Sequence, residues 1–176
     1  EFPNKEEKPK LQYLTRAACR SQCLVIDYYH VGSGLRETRQ IEPRAFINDG
    51  IRWIVRVYCH HQKDFMNYVV PRIGDVRLNG LSSYAGKSDD EWRCQVELQI
   101  RANPEMKQSK RTCVEMDYGM RNGVKCLSVR KPAYPYLLEK LMFTGVSAED
   151  TAFDLPVVNR TGNIEICHIA QKVVNK

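Results

Sequence analysis

The chain alternates between two kinds of hydrophobic spacing, and the change from one to the other outlines its parts. Leu11, Leu14, Ala17, Ala18 and Cys19 fall on one face at helical spacing, so residues 10–22 predict a short amphipathic helix. From Cys23 to about Arg77 the period shortens. Cys23 to His30 is rich in β-branched and aromatic residues and predicts a strand. Val31-Gly32-Ser33-Gly34 is turn chemistry, Leu35 to Glu42 the returning strand, and Arg44 to Asn48 a third strand behind Pro43. Asp49-Gly50 is the strongest hairpin signal in the chain. After it, Ile51, Trp53, Val55, Val57 and Cys59 share one face, and Arg52, Ile54, Arg56 and Tyr58 the other, one face core and one meeting solvent or a ligand. Residues 60–64 predict a loop and Phe65 to Arg72 a fifth strand. Five short strands joined by tight turns predict a small curled sheet or barrel.

Residues 79–91, rich in Gly, Ser and Asp, read as a linker. Beyond it, Trp92 to Arg101 predicts a strand, Pro104 to Lys110 a short helix, Thr112 to Tyr118 a strand, Arg121-Asn122-Gly123 a turn and Val124 to Arg130 its partner strand. Ala133 to Phe143 reads as an amphipathic helix, and the loop-rich tail holds one late strand, Asn163 to Ile169. A β-α-β-β-α order predicts a small ferredoxin-like α+β domain.

Composition narrows the function classes. The 176 residues are 43% hydrophobic and 27% charged, as in ordinary globular chains. No apolar run reaches the roughly 18 residues a membrane helix needs. The net charge of +6 makes nucleic acid a candidate partner without a basic tail to carry it. Seven cysteines without a C-x-x-C pair point to free thiols in a reducing, cytoplasmic setting. Cys19-x-x-x-Cys23 with Cys59-His60-His61 is the nearest thing to clustered metal ligands, and neither a metal nor a cofactor is expected. Nucleophile elbow, Walker loop, H-E-x-x-H and G-x-G-x-x-G motifs are all missing, so no enzyme is expected. Glu1 to Pro9 lacks both an initiating Met and a pattern, and Glu-Phe is what a common cloning site encodes. Residues 1–10 are therefore set apart, and the natural protein is expected to extend upstream.

What remains is a set of basic and aromatic residues on predicted strands: Tyr28, His30, Arg39, Arg52, Arg56, Tyr58 and Arg72. Guanidinium groups beside aromatics suit a phosphate-bearing ligand. Arginines decorating solvated strand faces would read the same way.

Motifs in order bear on the choice between those readings. Ile26-Asp27-Tyr28, Arg39-Gln40-Ile41-Glu42-Pro43, Asp49-Gly50-Ile51-Arg52-Trp53, Arg56-Val57-Tyr58-Cys59 and Asp64 to Ile73 follow one another at fixed spacing. Together they resemble the WYL domain of bacterial transcriptional regulators, in detail those found beside phage-defence systems. Lys131 to Leu138 is similar to the last helix of the C-terminal extension domain that often follows WYL. The resemblance divides the chain into a WYL β-barrel with its leading helix (11–78), a linker (79–91) and a C-terminal extension domain (92–176). It implies an Sm-like, SH3-like five-stranded barrel that senses a nucleotide or oligonucleotide effector, an upstream winged helix-turn-helix that contacts DNA, and a homodimer. On that reading Tyr28, His30, Arg39, Arg52, Arg56 and Arg72 bind the ligand. The chain departs from the family where Ile54, Val55, Met66 and Pro71 stand, which replaces polar ligand-facing groups by apolar ones. A direct single-stranded nucleic-acid-binding module is the alternative.

Overall fold

The computed structural model describes residues 7–82, 88–146 and 157–174. The chain divides into two compact units, Glu1–Ser88 and Asp89–Lys176.

The first unit opens with helix α1 (Glu7–Cys19), which buries Leu14 and Ala17 and lays Leu11 against the same core, one stripe at helical spacing. Its Glu7 accepts the Trp53 backbone N–H at 3.4 Å, and Lys10 Nζ donates to the Ile73 carbonyl at 2.6 Å. Strands β1 (Gln22–Tyr29), β2 (Arg36–Asn48), β3 (Trp53–Cys59), β4 (Asp64–Val69) and β5 (Ile73–Leu81) form one antiparallel sheet in the order β4-β3-β2-β1-β5. Leu24, Ile26, Ile41, Val55, Val57 and Cys59 pack with Leu14 and Ala17 on one face.

Several expectations change here. Pro43 does not end a strand. β2 runs through it with a register shift between Pro43 and Ala45, a bulge that absorbs the missing N–H. The tight turn after β2 centres on Gly50-Ile51 rather than on Asp49-Gly50. The Asp49 N–H donates to the Arg52 carbonyl, and Gly50 takes the positive φ of 91° that a first central position of this kind requires. The predicted fifth strand is β4 followed by a short 3-10 turn, Val70–Arg72. The true fifth strand, β5, uses the first three residues assigned to the linker. Residues 83–87 of that expected linker lie outside the described residues. The sheet is open rather than a closed barrel: among the described residues no ladder joins β4 to β5.

The second unit holds α2 (Asp90–Arg93), β6 (Cys94–Ala102), α3 (Gln108–Asp117), β7 (Val124–Arg130), α4 (Tyr134–Lys140), β8 (Val157–Val158) and β9 (Ile164–Val173). Its sheet order is β7-β6-β9-β8, all antiparallel. Val96, Leu98, Ile100, Ile164, Ile166 and Ile169 meet Val114, Tyr134 and Leu138 in its core. Thr112 to Tyr118 is therefore mostly helix, not strand: only Val114 of α3 is buried, and the β-branched Thr112 lies on an exposed helical face. The ferredoxin-like expectation fails for the same reason. β6 and β7 are antiparallel neighbours, whereas a split βαβ unit would run them parallel with another strand between them.

Candidate functional site

Successive rows of the β1–β2 ladder change character along the packed face of the first sheet. Leu24 pairs with Ile41, Ile26 with Arg39, and Tyr28 with Glu37. The period of two keeps these residues on one side. That side thus passes from wholly apolar to aromatic and charged within three rows. His30, two residues beyond Tyr28, turns its ring edge to Tyr28 at 5.1 Å between centroids.

The polar end of this face is tightly cross-linked. Tyr28 is 6% exposed, packs edge-to-face on Tyr68 at 4.5 Å, and its hydroxyl accepts the Val69 N–H at 3.2 Å. It is a floor for the site rather than an open stacking surface. Tyr68 donates to Cys59 Sγ at 3.5 Å. Burial pushes the Tyr68 phenol far above its ordinary range, and the Cys59 contact adds to this, so Tyr68 stays a neutral donor. The Arg39 side chain is 14% exposed, and its guanidinium meets the Glu37 carboxylate and, at 3.2 Å, the Thr38 carbonyl. Arg39 Nε is buried with no hydrogen-bond partner. His30 Nε2 lies 2.9 Å from the same Glu37 oxygen, an ion-pair distance but out of line for a hydrogen bond. One half-exposed carboxylate thus faces both a guanidinium and a titratable imidazole. An anion with more oxygens in more directions would satisfy Arg39 better than Glu37 does.

Of the remaining sequence-predicted residues, Arg52 and Arg56 are not brought to this spot. Arg56 pairs in register with Ala45 and Asn67, on the opposite face of the sheet from Val55 and Val57. It is 4% exposed, bonded to Asn67 Oδ1 at 3.3 Å and held 5.7 Å from the centre of the Phe65 ring. Its whole face of β3, expected to meet solvent or ligand, is buried: Ile54, Arg56 and Tyr58 are all covered. Arg52 closes the hairpin, with Nε 2.8 Å from Asp49 Oδ2. Burial raises the Asp49 carboxyl, but the Arg52 and Ile51 amides and the Arg52 guanidinium outweigh it and hold the group below its usual range. Arg72 sits in the 3-10 turn just before Ile73, the residue paired with Tyr28.

Sequence reasoning missed Glu37, Tyr68 and Cys59. Glu37 had a signal, because it stands two residues before Arg39 on a strand and so shares its face. Tyr68 and Cys59 had none, since only the β3–β4 and β1–β2 ladders together bring them to Tyr28.

Comparison with known proteins places the chain in a family. Residues 9–78 match the model of the WYL domain, and residues 95–161 match that of the BrxR transcriptional regulator, C-terminal dimerization domain. The chain is a WYL domain followed by a BrxR-type dimerization domain. Both belong to transcriptional regulators, not enzymes. Among curated relatives, the DNA-binding transcriptional repressor CapW of Pseudomonas aeruginosa is 30% identical over 68% of this chain and 39% of its own length. CapW of Stenotrophomonas maltophilia is 27% identical over 86% of this chain and 51% of its own. For CapW of Escherichia coli (strain KTE188) the figures are 24%, 74% and 44%. The chain therefore spans about half or less of the length of these relatives. Proteasome accessory factor B/C (PafBC) of Arthrobacter aurescens aligns with 94% of the chain and 25% of its own length, at 15% identity and a TM-score of 0.45. No helix among the described residues is long and apolar enough to cross a membrane.

Proposed function

We propose that this chain is the sensing and dimerising part of a DNA-binding transcriptional repressor, with its effector site at the polar end of the WYL sheet. The observation that carries the proposal is Arg39, a nearly buried guanidinium that shares one carboxylate with His30 and has its Nε unpaired. A phosphate-bearing effector, a nucleotide or a short oligonucleotide, takes the place of Glu37 against Arg39. His30 closes over it as a second donor, and Arg72 extends the positive rim. Arg52 and Arg56 remain packing and turn residues on this reading. The strand order, in which β5 returns to β1, supports an Sm-like curl left open at one seam. The matched dimerization domain and the DNA-binding repressors among the relatives support a homodimer whose arrangement on DNA the effector biases.

Calorimetry with ATP and anisotropy with a short labelled single-stranded oligonucleotide test this. Losing a charge-assisted hydrogen bond costs on the order of 1.5–3 kcal/mol. Arg39→Ala is therefore expected to weaken binding at least about tenfold while leaving the thermal midpoint of the free protein nearly unchanged. Binding that survives Arg39→Ala, or a variant that unfolds, sinks the proposal. Salt distinguishes a sensor from a strand-gripping module: several phosphate contacts give a steep loss of affinity with salt, one or two a shallow one. Light scattering is expected to give twice the 20.4 kDa mass of the chain.

A further inference from the structure

On the face of the WYL sheet away from the effector site, three donor atoms of different chemistry meet. Leu24 pairs with Ile41, and Ile41 with Cys59, in the apolar core. One residue along each strand, the alternation turns Cys23, Glu42 and His60 to the other side, with Cys23 beside Glu42 on neighbouring strands and His60, just past the end of β3, diagonal to Glu42. Cys23 Sγ lies 4.0 Å from His60 Nε2, and His60 Nε2 lies 3.0 Å from Glu42 Oε1. All three atoms fall within 4.8 Å of one another.

A thiol, an imidazole and a carboxylate are also the parts of a nucleophilic triad, but the wiring here is wrong for one. A triad needs the acid on one ring nitrogen and the thiol on the other. Here both approach Nε2, which carries at most one hydrogen. Two acceptors aimed at one nitrogen leave a point between them that suits a cation. Zinc bonds of about 2.0–2.3 Å place the donors of a tetrahedron roughly 3.3–3.6 Å apart, and the observed 3.0 and 4.0 Å bracket that spacing. A thiolate and a carboxylate together neutralise a divalent ion, which matters because Cys23 is 1% exposed and the Glu42 side chain 2%.

The surroundings orient the donors as metal ligands are commonly oriented. Gln40 Nε2 donates to Cys23 Sγ at 3.2 Å. The Ser82 hydroxyl and, at 3.4 Å, an Arg44 guanidinium nitrogen both engage Glu42 Oε2, so that Oε1 is the oxygen turned to His60. His60 rests edge-on against Tyr58 at 5.3 Å and is 24% exposed, which gives the group its opening to solvent. Of the residues singled out by linear spacing, Cys23 and His60 belong to this group, whereas Cys59 faces the core against Tyr68 and Cys19 is exposed at the end of α1.

We propose that Cys23, Glu42 and His60 form a zinc site with an open fourth position, pinning three strands of the WYL sheet together. The mix of soft sulfur, imidazole and carboxylate favours zinc over magnesium or calcium, which take oxygen alone.

The test uses the whole chain, stripped with a chelator and titrated with Zn2+, and separately with Co2+ as a spectroscopic probe. One metal per chain is expected, with a thiolate-to-cobalt charge-transfer band in the near ultraviolet and visible bands of tetrahedral intensity. Cys23→Ser is expected to abolish the charge-transfer band, and His60→Gln to weaken zinc binding by more than about 100-fold, beyond what loss of a supporting contact costs. His61→Gln and Cys113→Ser are expected to change neither. A wild-type chain without the band overturns the proposal, as does a band that persists in Cys23→Ser or disappears in Cys113→Ser. Should Cys23→Ser lose its fold by circular dichroism, the wild-type spectrum and His60→Gln at the more exposed ligand still decide.

Discussion

Asn159 in the dimerization domain and Arg39 in the WYL domain are both tucked-away polar side chains, and the fold uses them to very different extents. Asn159 is 5% exposed and bonded through both ends of its amide. Its Oδ1 accepts from Thr161, from the Asn163 amide and from the Ile164 amide, and its Nδ2 donates to the Leu141 carbonyl. It ties the turn before β9 to the end of α4, and its carbonyl oxygen is saturated by the protein itself. Arg39 has its terminal nitrogens on Glu37 and a carbonyl while its Nε has no partner. A buried polar group that the protein completes by itself is a structural knot. One that the protein completes only in part marks a place for a visitor. The same contrast runs through the two domains. The buried charges of the WYL domain include Asp27, Glu42 and Arg56, on the face away from the core, whereas among the described residues of the dimerization domain the buried polar side chains are Glu165, beside Arg101, and Asn159.

The comparison breaks if the knot turns out dispensable. Asn159→Ala removes several hydrogen bonds, that of the buried Ile164 amide among them, so chemical denaturation is expected to show a loss of about 2–3 kcal/mol with effector binding unchanged. A loss below about 0.5 kcal/mol would mean that the turn holds itself.

Acid sharpens the contrast on the WYL side. Hydrogen bonds from Arg36 and then Thr38 hold the Asp27 carboxyl below its ordinary value of 3.8, against the opposing effect of burial. A depressed carboxyl stabilises the fold fully above its unfolded pKa and loses that contribution as pH falls through the folded value. Stability of the wild type is therefore expected to exceed that of Asp27→Asn most at neutral pH. The gap narrows as pH drops below about 4. Denaturant midpoints measured across pH check this, and a gap that stays constant with pH rules it out.

Glu37 gives the smallest and most specific effect. On the proposed reading it is the internal anion that an effector replaces, and a half-exposed ion pair is worth up to about 1 kcal/mol. Glu37→Gln is expected to tighten binding of the ATP or oligonucleotide probe by up to about fivefold. Weaker binding in that variant would instead make Glu37 a ligand contact or a support for His30.

The strands β1 and β4, the leading helix and the inward set Leu24, Ile26, Val55 and Val57 follow from local pattern, because period and turn chemistry are properties of neighbouring residues. So does the WYL resemblance, which is a matter of spacing. Local pattern fails where tertiary contacts override it. Pro43 passes through a strand because a bulge takes up its missing donor. Thr112 to Tyr118 coils as helix because Val114 alone needs burial there. β5 went unread because Gly74, Asp75 and Gly80 dilute its pattern, and its pairing with β1 supplies what propensity lacks. At the candidate site, Tyr28, His30 and Arg39 were visible as types in the right order. That Arg56 stands on the other face, that Tyr28 is buried and that Glu37 occupies the guanidinium were decided by register and packing. The group Cys23, Glu42 and His60 is the clearest instance. Its members are 19 and 18 residues apart, and only the lateral pairing of three strands makes them neighbours.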